Sequence, residues 1–162
     1  VASWILQHLN QGHSVVQVTL GDPSIYSTIG YVMEALRTQV HPERLHVVPG
    51  ISAFQAAAAA FGEDLALQED RVLLMPATDL HAVAEALDHC ERLVLYKVAD
   101  RLDPLIDLLE RRGLLDQARL AYAVEQDRAE LLPDLRQARG SRLGYLSVVL
   151  VRTGRRTWED LP

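Results

Sequence analysis

Apolar positions along the chain alternate between two rhythms. Trp4, Ile5 and Leu9 recur at helical spacing, and Gly12 sits where that helix would stop. Residues 14–20 (SVVQVTL) are short and β-branched, which predicts a strand broken by Gly21-Asp22-Pro23. Over residues 24–38, Ile29, Val32, Met33 and Leu36 fall on one helical face. Residues 45–48 predict a second strand, ended by Pro49-Gly50. Ser52 is a good cap for an alanine-rich helix from Ala53 to Phe61, with Gly62 as its stop.

The pattern changes after Gly62. Residues 63–70 are acidic and irregular, so a domain junction is expected there, between lobes at 1–66 and 67–162. Strands are expected at 71–75, 92–96, 119–124 and 145–151. Helices are expected from a cap at Asp79 to about Asp88, from Asp103 as cap and Pro104 in the first turn to Gly113, and weakly over 129–138 around Pro133. Residues 152–162, with Arg152, Arg155 and Arg156, read as a solvated tail. Strands alternating with helices imply an α/β architecture with helices on the sheet faces.

Composition narrows the function classes. The chain has 162 residues, 49% apolar and 23% charged, enough for a real core and unlike a disordered protein. The longest apolar runs fall far short of the ~20 residues that cross a bilayer. The net charge of -6 argues against nucleic acid as the main partner, since phosphate binding favours a basic face. One cysteine, Cys90, excludes an internal disulfide and a Cys-based zinc cage, and suits a cytoplasmic location. The six histidines lack metal-binding spacing, so no metal is expected. Arg111-Arg112 complements a helix C-terminus, and Cys90 reads as a buried thiol rather than a nucleophile.

Two segments could carry chemistry. Residues 21–28 (GDPSIYST) directly follow a predicted strand, where ligands bind in open α/β sheets. They equally suit a strand-to-helix turn built from Asp and Pro. Neither a Walker loop nor a G-x-G-x-x-G fingerprint is present. Residues 48–53 (VPGISA) again join a strand end, a glycine turn and a helix start, whose free N–H groups favour anions. Taken alone, that segment is more simply a capped helix entry. Paired with the first, it becomes more specific, because two glycine turns after consecutive strands would face one crevice.

GDPSIYST followed by VVPGISAFQAAAAAFG, and then a strand–helix series with LVLYK, resembles the tetrapyrrole methylase family. Within it, GDPSIYST is most similar to the precorrin-2 C20-methyltransferases. The resemblance implies a two-lobed α/β fold with S-adenosylmethionine in the cleft between lobes, and a homodimer. It implies cofactor contacts at Leu20, Gly21, Asp22 and Ile25, at Ser52 and Ala53, and at Lys97. A Gly that often follows the third strand of the second lobe is replaced here by Glu125-Gln126-Asp127. Tyr26, Arg37 and Arg101 are candidate contacts to the carboxylate-rich tetrapyrrole. No catalytic acid or base is assigned, because an electron-rich macrocycle is its own nucleophile. Family members begin with a strand and a glycine/proline-rich turn, expected before residues 2–10 and missing from this sequence. The first lobe is therefore expected to be truncated. Alternative readings are another methylase of the same fold, such as one acting on uroporphyrinogen III or another precorrin, and a non-catalytic remnant.

Overall fold

A computed structural model describes residues 1–154 and divides the chain into two compact units, 1–52 and 53–162. In the first unit, helix α1 (Ala2–Asn10) packs on helix α2 (Ile29–Arg37). Ile5, Leu36 and Val40 form its small core, with Leu6, Leu9, Val15, Val32 and Leu45 against them. The helical spacing of these side chains gives each helix one apolar face, and the two faces cover each other.

The two strands expected in this unit do not form. Residues 14–20 and 45–48 make no ladder among the described residues. Val16, Val18 and Leu20 are exposed, as are Val47 and Val48. A β-branched run favours a pleated, half-buried surface, but a strand also needs a neighbour to pair with.

The second unit is a five-stranded sheet between helices. Its strands are β1 (Val72–Pro76), β2 (Arg92–Tyr96), β3 (Ala118–Tyr122), β4 (Glu130–Leu132) and β5 (Ser147–Arg152), in the order β1-β2-β5-β3-β4. The β1–β2 pair is parallel and the other pairs are antiparallel. Helix α4 (Leu80–Ala86) provides the crossover from β1 to β2, and Asp79 caps it by accepting from the His81 and Ala82 N–H groups. Helix α5 (Leu102–Arg111) follows β2.

Alternation along β2 sends its side chains to both faces of the sheet. Leu93 and Leu95 join Val83, Leu105, Ile106 and Leu109 on the α4/α5 side. Val94 instead joins Val148, Leu150 and Ala121 against helix α3 (Ala53–Phe61). Burial on both faces explains why RLVLY and SVVLV read as continuous apolar runs. The alanines of α3 do what small side chains allow: Ala57 and Ala58 are fully covered on the sheet. This packing places α3 and the turn after it with the second unit.

Three other expectations are corrected. Residues 129–138 form the edge strand β4 and a 3-10 turn, Leu135–Ala138, instead of a helix. Pro133 removes an N–H and separates them. Asp103 does not cap α5, whose N-cap is Arg101; its carboxylate accepts the Gly140 N–H at 2.8 Å. Arg152 is no tail residue: it ends β5 and pairs with Asp64 at 3.1 Å. Arg155 and Arg156 lie outside the described residues.

Candidate functional site

The turn after residue 20 is organised around Asp22. Its Oδ1 accepts the Ser24 backbone N–H at 2.8 Å and the Ser24 hydroxyl. Its Oδ2 accepts the Gly50 backbone N–H at 2.8 Å. That bond joins the two glycine turns directly across the sequence. Gly21 has φ +70°, a backbone conformation that a side chain would strain. Gly50 is required for a different reason. A Cβ there would overlap the Gly21 carbonyl oxygen and lie 3.1 Å from the Gly21 carbonyl carbon. The absence of a side chain at Gly50 is what lets the two turns touch.

The donors around Asp22, led by the Ser24 hydroxyl and then the Gly50 N–H, hold its carboxyl below the usual carboxylate range. The group is therefore ionised at neutral pH and acts only as an acceptor. Around it lie exposed apolar side chains, Leu20 and Ile51 at 71% exposure each, with Ile25 half-buried. Tyr26 is exposed and has φ 50°. Ser52 is buried, and Ala53 opens α3. Arg37 is exposed in the last turn of α2.

The other sequence-predicted positions belong to the second unit. Lys97 directly follows β2 with φ 55°, and Arg101 ends the 3-10 turn Ala99–Arg101 after it. At the corresponding end of β3, Ala123 and Glu125 also have positive φ, 47° and 62°. Strand β3 runs parallel to β2, because both pair antiparallel with β5. Three strained non-glycine residues thus gather at the carboxyl edge of the sheet, where such backbone persists when its surroundings over-determine it. Sequence reasoning missed Ala123 and Glu125, since neither residue type signals a left-handed backbone. It also missed Ser24, although a Ser two residues after Asp has the spacing of a side-chain-closed turn.

The remaining candidates take their plainer roles. Cys90 is buried, its Sγ bonded to the Ala86 carbonyl, and burial raises its pKa. His8 and His13 meet through their Nδ1 atoms at 3.2 Å on the surface. Among the described residues, no group of three or more His, Cys, Asp or Glu could hold a metal. Nor, among them, is any helix long and apolar enough to cross a membrane.

The arrangement sets the exposed glycines Gly21 and Gly50 beside the exposed apolar side chains of Leu20 and Ile51. Residues 1–126 match the profile of the tetrapyrrole (corrin/porphyrin) methylases. The chain belongs to this family. Among its relatives, the cobalt-precorrin-2 C(20)-methyltransferase of Salmonella typhimurium is 30% identical over 161 residues, 98% of this chain and 65% of that protein. The chain thus spans about two thirds of that relative's length. The methyltransferase CobJ shares the fold at TM-score 0.67 and 25% identity, over 96% of this chain and 72% of that one. The uroporphyrin-III C-methyltransferase of Thermus thermophilus, solved with S-adenosylhomocysteine, aligns at TM-score 0.64 and 17% identity, over 93% and 71% of the two chains. The α/β fold expected of a tetrapyrrole methylase is therefore the fold observed.

Proposed function

We propose that this tetrapyrrole methylase is an S-adenosylmethionine-dependent methyltransferase that acts at C20 of precorrin-2 or cobalt-factor II, in cobalamin biosynthesis. The observation that carries the reading is the contact between the two motif turns: Asp22 on the Gly50 N–H, with no room for a Cβ at Gly50. Gly21 and Gly50 remain exposed at these two touching turns, and Leu20, Ile25 and Ile51 can cover a ligand seated there. The residues present therefore suit an adenosyl cofactor covered by Leu20, Ile25 and Ser52 and seated on the backbone of Gly21 and Asp22; the family resemblance adds Ala53 and Lys97 as proposed contacts. The C20 assignment draws on the 30% identical relative.

When bound, S-adenosylmethionine supplies a methyl group on a positively charged sulfur, which an electron-rich macrocycle carbon can attack without prior deprotonation. The protein's part is then to orient the two reactants and exclude water. The turn backbone fixes position, and the apolar side chains keep the site dry. Tyr26, Arg37 and Arg101 would meet the substrate's carboxylates, where cations offset the charge taken out of water. We place the enzyme in the cytoplasm, in keeping with its single buried thiol, and as a homodimer.

Titration calorimetry with S-adenosylhomocysteine tests the cofactor site, and a panel of reduced tetrapyrroles tests the substrate. Saturable one-site binding with methyl transfer to a C20-unsubstituted precorrin is expected. Absence of binding at millimolar ligand would refute the cofactor reading. Preference for uroporphyrinogen III would move the substrate assignment elsewhere in the family. Light scattering tests the dimer.

A further inference from the structure

We propose that Asp22 is a positioning residue: its carboxylate holds the 49–52 turn in place and influences a bound ligand through that turn. This rests on the cofactor reading above and assigns the division of labour within the site. A carboxylate offers about four acceptor positions. Three of them are taken by this chain's own donors: the Ser24 N–H and hydroxyl on Oδ1, and the Gly50 N–H on Oδ2. Ser24 thereby fixes the rotation of the carboxylate, and the carboxylate in turn presents Oδ2 to Gly50. The Gly50 N–H stands one residue from Ile51 and two from Ser52, so a change at Asp22 reaches both side chains through the backbone. The overlap that any Cβ at Gly50 would make with the Gly21 carbonyl shows that the two turns are set by contact as well as by the hydrogen bond. Asp22, Ser24, Gly21 and Gly50 form one lock.

The near-isosteric Asp22→Asn variant is the sharp perturbation. An amide has one acceptor oxygen and one donor nitrogen, so it must turn N–H groups toward the backbone N–H of either Gly50 or Ser24, each a donor itself. Ser24→Ala removes only the hydroxyl brace and keeps the Ser24 N–H, so its effect should be smaller.

The test has two arms. In 15N–1H spectra of the ligand-free chain, Asp22→Asn should move the Gly50, Ile51 and Ser52 amides, with smaller shifts of the same resonances in Ser24→Ala. Unmoved amides in Asp22→Asn would overturn the proposal. In calorimetry with S-adenosylhomocysteine, Asp22→Asn should weaken binding about ten-fold, the scale of a lost charged hydrogen bond. The Asp22→Asn/Gly50→Ala double variant should bind no more weakly than Gly50→Ala alone, because both changes act on the same turn. Additive losses would show that Asp22 touches the ligand independently, and would overturn the proposal. If Gly50→Ala does not fold, the spectra of the other two variants decide. If the parent chain binds no S-adenosylhomocysteine, the cofactor reading fails, while the amide shifts still decide whether Asp22 sets the turn.

Discussion

The ion cluster around the buried Arg92 in the second unit yields the most quantitative prediction. Glu63 accepts from Arg92 Nη1 at 2.9 Å and faces Arg119 Nε at 3.3 Å. Arg152, directly opposite Arg92 in the β2–β5 register, pairs with Asp64. The Arg92 side chain is only 2% exposed, and its Nη2 also donates to the Asp64 carbonyl. Among the described residues its buried Nε has no hydrogen-bond partner. Burial, and after it the nearby Arg152 charge, lower the Arg92 pKa. Removing the two partners should therefore have unequal effects. Glu63→Gln leaves a buried guanidinium beside Arg152 with its main counter-charge gone. A unit charge pair near 4 Å is worth about 4 kcal/mol at an effective dielectric of 20. Allowing for the 23% exposure of Glu63 and the acceptor that Gln retains, a loss of about 2–3 kcal/mol is expected. That lowers Tm by the order of 10 °C in a unit of this size. Arg92→Met removes the buried charge and the unpartnered Nε together, and leaves Glu63 with Arg119. It should fall within about 1 kcal/mol of the parent. Urea unfolding followed by circular dichroism, with unchanged m-values, measures both. Equal losses in the two variants would refute the reasoning, because the cluster would then act as a simple surface pair.

Two further outcomes are expected. Glu91 accepts the Arg71 guanidinium in a two-pronged pair, plus the Arg71 N–H, and the Arg71 side chain foremost lowers its pKa from 4.5 to about 2. A depressed folded pKa contributes stability fully above about pH 4.5, and that contribution is lost as the pH falls toward 2. Glu91→Gln should therefore flatten the acid limb of the stability profile in that window, as read by urea midpoints at successive pH values. Leu105, wholly buried between α5 and the sheet, should cost about 2–5 kcal/mol when changed to Ala, measurable by the same unfolding curves.

How much of this was legible in the sequence depended on how local each feature is. The alanine helix from Ala53 to Phe61 forms as expected, because its cap, its small face and its stop all lie within eleven residues. Strand β2 occupies 92–96 as expected, because a strand buried on both faces writes an unbroken apolar run. Residues 14–20 carry an equally good strand pattern and stay unpaired, since pairing is decided by a neighbour that the pattern does not contain. Edge strand β4 was read as a weak helix for the converse reason: its two leucines and flanking charges suit either period, and only the partner β3 selects one. Asp103 shows the same limit at a single side chain, for a good N-cap residue was drawn instead to the distant Gly140 N–H.

The candidate site follows this logic one level up. The two motifs were readable as turns, and their positions after consecutive predicted strands suggested that they work together. The bond that joins them was not readable, because Asp22 and Gly50 each have a sufficient local explanation. An Asp before Pro closes turns, and a Gly after Pro permits them. Only the folded backbone shows that Gly50 must lack a side chain on account of Gly21, and that the carboxylate expected to meet a ligand already has three internal donors. A motif of this kind therefore specifies the geometry of its own backbone first. On the proposed reading, the ligand is then met by the backbone groups and apolar side chains that this geometry leaves uncovered. For this reason, substitutions at Ser24 and Gly50 should be as informative about ligand binding as substitutions at residues expected to touch the ligand.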